Sequence, residues 1–132
     1  MKLEIDLMRD LLLHIEESAS DPISSLTDIV IPSWSKEQID YHVLQAQEAG
    51  FLQAHIDTMP MPEDPMRIEV HYEVMRLTFA GHEFLSAIRQ PKHWKVIKSG
   101  AKGLGLASLS AIGSFAQAYA KSQIEKHFGV QI

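Results

Sequence analysis

The chain has 132 residues, enough for one domain with its own core, and carries a formal net charge of −5. An apolar fraction of 45% and a charged fraction of 22% exclude a disordered chain and a bundle of membrane spans, and the net charge argues against a general nucleic-acid coat. Because the chain has no cysteine, disulfides, thiolate zinc sites and cysteine nucleophiles are excluded, and a reducing, cytoplasmic location is expected.

The N-terminal part of the chain predicts two helices joined by an extended segment. Residues 3–17 form the first helix, because apolar side chains recur every three or four positions. Residues 23–31 form either a strand or an irregular extended segment, which a proline ends. Ser35 and Gln38 have the spacing of a capping box and begin the second helix, and Gly50 ends it as a left-handed cap residue.

The middle of the chain predicts a β-hairpin. Residues 51–56 read as its first strand, and the three prolines of residues 57–65 exclude helix and central strand from the loop that follows. Residues 67–77 alternate as a half-exposed strand does. The face predicted to be apolar carries Ile68, Val70, Tyr72 and Val74, and the other face carries Glu69, His71 and Glu73.

Three further helices are predicted after the hairpin. Thr78 is the expected N-cap of a helix that runs to Arg89, with an apolar side formed by Phe79, Phe84, Leu85 and Ile88. Pro91 can open the next helix at its first turn, and the glycine-rich residues 98–105 are expected to interrupt it. The last helix is expected to cover residues 106–128. The elements together predict an α+β fold.

Two sequence runs resemble winged-helix regulators. The run IDYHVLQAQEAGFL at residues 39–52 is similar to their recognition helix and the start of their wing, and RLTFAGHEFLSAIR at residues 76–89 is similar to the closing strand and the following helix. Together with LMRDLLLHIEE at residues 7–17, these runs resemble a family of small bacterial and phage proteins of unknown function. The resemblance covers about residues 3–95 and implies a winged-helix-like domain at residues 1–90. A basic linker or helix and a C-terminal amphipathic helix extend it at residues 91–132.

The resemblance implies a recognition helix that enters the major groove of DNA. Its candidate contact residues are Lys36, Gln38, Tyr41, His42 and Gln45. The sequence departs from a DNA reader in two respects. The first helix of the usual helix-turn-helix pair is missing or reduced, and the presumed recognition helix carries Glu37, Asp40 and Glu48 against one base. An acidic face repels phosphates, so a basic protein is the alternative partner for this helix.

The charge divides unevenly along the chain. Residues 1–66 carry three basic and thirteen acidic side chains, whereas residues 67–132 carry nine basic and four acidic ones. Five of the bases, with no acid among them, lie between positions 89 and 102. The candidate nucleic-acid contacts are therefore Arg89, Lys92, Trp94, Lys95, Lys98 and Lys102, with the indole available for stacking on a base. The alternatives are pairing with the acidic half and plain solvation.

The apolar side of the last helix has three possible roles. As a homodimer contact it would use Leu109, Ile112, Phe115 and Tyr119, and small residues such as Ala107 and Gly113 would allow close approach. The other possibilities are packing within the same chain and binding to a membrane surface. The sequence predicts no membrane span.

The sequence carries no enzymatic motif. The seven histidines show no established metal-binding spacing, so neither a metal nor a cofactor is expected. Glu69, His71 and Glu73 read as the solvated face of the hairpin, and His42 and His82 as packing or hydrogen-bonding residues. The expected function is that of a non-enzymatic regulatory protein of bacterial or phage type that binds DNA weakly or at a limited site, and the alternative is a protein-interaction module that uses the acidic face of a winged-helix scaffold.

Overall fold

The computed structural model describes residues 1–105 and 108–129 and has a mixed α+β fold, as predicted. The elements, in chain order, are α1 (Ile5–Ser18), α2 (Lys36–Glu48), β1 (Leu52–Pro60), β2 (Ile68–Leu77), α3 (Phe79–Ile88), α4 (Pro91–Gly103) and α5 (Leu109–Phe128). The chain divides into two compact units, Met1–His82 and Glu83–Ile132. None of the described helices is both long and apolar enough to cross a bilayer.

The core of the first unit is built on α1. This helix buries Leu7, Met8, Leu11, Leu12 and Ile15, whose spacing of three and four residues places them on one side. α1 packs on α2 and on β2, which contribute Ile39, Val43, Ala46 and Val74 to the buried set. The amphipathic periodicity of both helices is therefore confirmed.

The predicted capping box of α2 is present. The Oγ atom of Ser35 accepts a hydrogen bond from the Gln38 backbone N–H at 3.1 Å, and the Ser35 backbone N–H donates to Gln38 Oε1 at 3.0 Å. Gly50 follows the helix with φ of +80°, a conformation that favours glycine. The backbone N–H of Phe51 then donates to Ala46 O at 2.8 Å and leads the chain into β1.

The segment between α1 and α2 contains no helix, in agreement with the reduced helix-turn-helix read from the sequence. It makes one isolated bridge to β2, in which Leu26 and Val74 exchange two backbone hydrogen bonds of 3.0 Å each. The backbone N–H of Ser24 also donates to Met75 O at 3.1 Å, so the segment is an extended chain held along β2 by these bonds. Farther along, the backbone N–H of Ile29 donates to the hydroxyl oxygen of Tyr72 at 2.9 Å.

The hairpin is longer than predicted. Residues 57–60 belong to β1, and Pro60 is paired in register with Ile68. The prediction of a loop from residue 57 was wrong, because a two-stranded sheet has no central strand. Proline has no backbone N–H to donate, but at the end of a strand no hydrogen bond of the sheet requires one. The backbone N–H of Met61 donates to Arg67 O at 2.9 Å and closes the tip.

The alternation predicted for β2 holds only in its middle. Tyr72 and Val74 are buried, but Ile68 is 67% exposed because it lies next to the hairpin tip. A bulge opposite Gln53 and Ala54 shifts the register by one residue. This shift allows Leu77 to be buried together with Val74, three positions away.

Thr78 caps the N-terminus of α3, as predicted, and its Oγ1 accepts a hydrogen bond from the Gly81 N–H at 3.1 Å. A Cβ atom on Gly81 would lie 2.2 Å from Phe51 O, so this position has no room for a side chain. Phe79, predicted to be on the apolar side, is instead 81% exposed, because it occupies the first turn outside the buried stripe. His82 was predicted to be a packing or hydrogen-bonding residue. It is exposed rather than packed, and its Nδ1 lies 3.8 Å from Glu16 Oε2.

The second unit differs from the prediction at its glycines. Pro91 opens α4 as expected, but the helix continues through Gly100 to Gly103. Gly100 lies so close to the ring of Phe115 that a Cβ atom at position 100 would be 2.3 Å from Phe115 Cζ. The glycine therefore allows α4 and α5 to pack closely and does not end α4. Ser108 caps α5 by accepting from Ala111 N at 3.1 Å, and the predicted start at Leu106 lies outside the described residues.

Candidate functional site

α2 holds the five residues predicted to contact DNA, and it presents them unequally. Lys36 is exposed, whereas Gln38, Tyr41 and Gln45 are half-buried. His42 is fully buried: its Nε2 accepts from Glu4 N–H at 2.8 Å, and its Nδ1, which must then carry the proton, donates to Gln38 O at 2.7 Å. The structure thus corrects its inclusion among the contact residues and confirms the packing role.

The acidic face expected on α2 is interrupted at Asp40. This residue is only 8% exposed, and its Oδ2 accepts a hydrogen bond from Lys36 Nζ at 2.7 Å. The bond raises the pKa of the Lys36 ammonium above its usual 10.5. The second carboxylate oxygen, Oδ1, is buried without a hydrogen-bond partner among the described residues. Glu37 and Glu48 remain exposed.

A groove of about 360 Å³ lies between α2 and the hairpin, and we call it the helix–hairpin groove. Its walls combine apolar and charged side chains. The apolar ones are Met1, Tyr41, Leu44, Met61, Ile68 and Val70, and the charged ones are Lys36, Glu37, Asp40, Arg67 and Glu69. Asp40, whose Oδ1 atom is itself buried, therefore lies in the wall of a groove that is large enough for one or two side chains of a ligand.

A second cleft, of about 430 Å³, is formed by the hairpin together with Thr27, Asp28 and Lys36, and we call it the hairpin cleft. Lys36, Glu69 and Val70 line both hollows and separate them. The remaining walls are Thr27, Asp28, His55, Asp57, His71, Tyr72 and Glu73. This cleft carries an excess of carboxylates over cationic side chains.

Histidines and carboxylates are paired across the two strands in the hairpin cleft. His55 lies opposite Glu73 and Asp57 opposite His71 in the sheet register, and His71 Nε2 is 3.3 Å from Glu69 Oε2. The predicted shared face of Glu69, His71 and Glu73 therefore lines a concave surface. No three histidine or carboxylate side chains of the described residues are arranged to hold a metal ion.

The basic residues of the second unit are only partly available. Lys92, Lys95 and Lys102 are exposed, whereas Arg89 and Lys98 are half-buried. Trp94 is 5% exposed, and Lys98 Nζ lies 5.7 Å from its ring centroid. The structure corrects the predicted role of this indole, because a ring in the core cannot stack on a base.

The predicted dimer face of α5 is used inside the second unit. Ile112 is 1% exposed, Phe115 packs on Gly100, and the ring of Tyr119 meets that of His93 edge-on at 5.3 Å. Leu109 is half-buried, and Ala107 lies outside the described residues. Packing within the same chain, one of the three roles left open by the sequence, is therefore observed for this face.

Comparison with known proteins identifies relatives but no activity. The sequence model of a family described as "Hypothetical protein (DUF2513)" matches residues 2–107. An uncharacterized protein of Haemophilus influenzae is 34% identical over 118 residues, which cover 89% of this chain and 93% of that protein. No solved structure matches.

The stability of the first unit is expected to fall in alkali through Tyr72. Burial raises the pKa of its phenol above the usual 10.0, against the opposing effect of the hydrogen bond from Ile29. As the pH rises, the unfolded chain therefore loses the phenol proton at a lower pH than the folded chain does. The contribution of Tyr72 to the free energy of unfolding is complete below pH 10 and is lost as the pH rises through the raised pKa.

Tyr72→Phe should cost about 1 kcal/mol at neutral pH, because it removes the acceptor of the Ile29 N–H. It should also flatten the loss of stability above pH 10. Urea unfolding at neutral and alkaline pH measures both effects. An alkaline slope identical to that of the parent protein would contradict the assignment.

Proposed function

We propose that this chain, which belongs to the DUF2513 family of hypothetical proteins, is a non-enzymatic protein-interaction module. Its binding surface is the helix–hairpin groove. The ligand is a segment of another protein that carries an arginine beside apolar side chains. The winged-helix-like scaffold, a regulatory role and a cytoplasmic location belong to this proposal. The order of α1, α2 and the hairpin and the absence of cysteine support them.

The half-paired carboxylate of Asp40 is the observation that carries this proposal. A buried carboxylate oxygen without a donor is costly, because it has lost its water without gaining a protein partner. Lys36 satisfies only one of the two oxygens. A donor that displaced Lys36 from Oδ2 and thereby also reached the buried Oδ1 would therefore gain more binding free energy at Asp40 than at a carboxylate whose two oxygens are already satisfied.

Arginine fits this requirement better than lysine. The guanidinium group presents parallel N–H donors in a fixed plane and binds both oxygens of a carboxylate, whereas an ammonium acts as a point charge. The side chain of Lys36 is 57% exposed, so it can move away without disturbing the core. Glu37 and Glu69 bring the carboxylates of the groove to three, against the cationic side chains of Lys36 and Arg67, so the lining has a small excess of negative charge for a cationic ligand.

The apolar walls define the rest of the ligand. Leu44 and Tyr41 on α2 face the groove together with Met61, Ile68 and Val70 of the hairpin. Ile68 is largely exposed, so a bound apolar side chain would remove its surface from water and add affinity. A peptide with one arginine between apolar residues matches both parts of the groove.

Selection from a displayed random peptide library tests this proposal. The full chain is immobilised, and binding peptides are sequenced and remade. We expect arginine flanked by apolar residues to be enriched, and replacement of that arginine by neutral citrulline to weaken binding by about tenfold or more. Asp40→Asn should weaken it similarly, because the amide offers one acceptor oxygen instead of two.

Glu48→Gln is the matched control, because it removes a charge from the exposed side of the same helix, outside the groove. It should leave peptide affinity unchanged. Selected peptides without a basic residue would refute the proposal, as would equal affinity for the parent protein and the Asp40→Asn variant. Circular dichroism of both variants separates loss of binding from loss of folding.

Nucleic-acid binding is the second candidate function, favoured by the basic side of α4. Lys92, Lys95 and Lys102 are exposed, and α4 carries no acid. These lysines offer about three phosphate contacts, too few for tight binding. This candidate retains the DNA-binding function expected from the winged-helix resemblance, and it keeps the contacts that the sequence predicts at positions 89–102 without those of α2 and without the buried Trp94.

A gel-shift series with random-sequence duplex tests the nucleic-acid candidate. Three phosphate contacts predict that log K falls against log salt with a slope of about −3. The double variant Lys92→Glu and Lys95→Glu should abolish binding, whereas Lys126→Glu on α5 should change it little. Absence of a shifted band at low salt would reject this function and leave the peptide result unaffected.

A further inference from the structure

We infer that the groove between α3 and the C-terminal half of α5 binds a second copy of this chain. The groove has a volume of about 420 Å³ and lies wholly within the second unit. It is lined by Glu83, Ser86, Ala87, Gln117, Ala120, Lys121 and Ile124. This inference concerns a surface separate from the helix–hairpin groove and does not depend on the proposed function.

The C-terminal half of α5 is packed less deeply than the first half, although Tyr119 contacts His93. The helix buries Ile112 and Ala116 in its first half, but none of its residues from 117 to 128 is buried. Ile124 is 42% exposed and Phe128 is 75% exposed. Helical stability in proteins comes mainly from packing of an apolar face, and a stretch this short is marginal by itself. A partner that covers this half would supply the missing contacts.

The charges at the groove indicate that the partner is a second copy of this chain. Glu83 and Lys121 line one groove, yet neither side chain makes an ion pair or a hydrogen bond with another described residue. A twofold axis through the groove would place Glu83 of each copy against Lys121 of the other and form two equivalent ion pairs. The surface is therefore complementary to itself.

The shape of the groove also suits helix pairing. Ala87 and Ala120 are small, so the backbones of two helix pairs can approach closely over them. With 3.6 residues per turn, Gln117, Ala120 and Ile124 lie on a different side of α5 from Ile112 and Phe115. Dimerisation here would leave the packing of α5 on α4 intact, unlike a dimer on the face predicted from the sequence.

A charge-reversal cycle tests the self-association. Light scattering on the full chain over a concentration series should give a dimer mass for the parent protein. Glu83→Lys and Lys121→Glu should each raise the dimer dissociation constant by about tenfold or more, because each replaces two attractions by two repulsions. The double variant Glu83→Lys/Lys121→Glu should recover the dimer, and an equimolar mixture of the two single variants should form a mixed dimer.

Lys126→Glu is the matched control, because it reverses an exposed charge of α5 outside the groove and should leave the dissociation constant unchanged. The inference is overturned by a parent protein that stays monomeric at all concentrations, or by single variants that dimerise as the parent does. Failure of both the double variant and the mixture to recover the dimer also overturns it, provided that circular dichroism shows native helix content.

Discussion

The first unit depends on the buried ring of His42. Its two nitrogen atoms bind backbone groups from two places, the Glu4 N–H at the start of α1 and the Gln38 carbonyl one turn earlier in α2. This bridge fixes the rotation of α2 against α1. Once that rotation is set, Ile39, Val43 and Ala46 face the core, and Tyr41 and Leu44 line the groove beside the hairpin. In this arrangement Asp40 is buried, and its Oδ1 atom has no hydrogen-bond partner among the described residues.

The structure also shows that the negative face expected on α2 is not formed as the sequence predicts. The acidic half of the chain does not present a uniformly negative helix, because Asp40 is drawn inward and paired with Lys36. Acidic side chains are instead concentrated in the hairpin cleft, where Asp28, Asp57, Glu69 and Glu73 are grouped with two histidines. Because α2 buries His42 and pairs Lys36 with Asp40, it presents few side chains that could contact DNA. The proposed peptide binding therefore fits this unit better.

Much of the fold could be predicted because its signals are local. The capping box of Ser35 and Gln38, the glycine after α2 and the N-cap at Thr78 each depend on residues within one turn. The continuation of α4 through Gly100 could not be predicted, because it depends on Phe115, fifteen positions away. The bulge opposite Ala54 and the burial of Asp40 likewise depend on contacts between elements. Only the four-residue spacing of Lys36 and Asp40 hinted at their pair.

The central claim is that Asp40 receives a cationic side chain in the helix–hairpin groove. The most direct measurement is an NMR titration of the isotope-labelled chain with N-acetyl-arginine amide, compared with its citrulline counterpart. We expect the amide signals of residues 40–44 and 67–70 to shift with arginine and to stay in place with citrulline. Equal shifts with both compounds, or arginine-dependent shifts only in the second unit, would contradict the account.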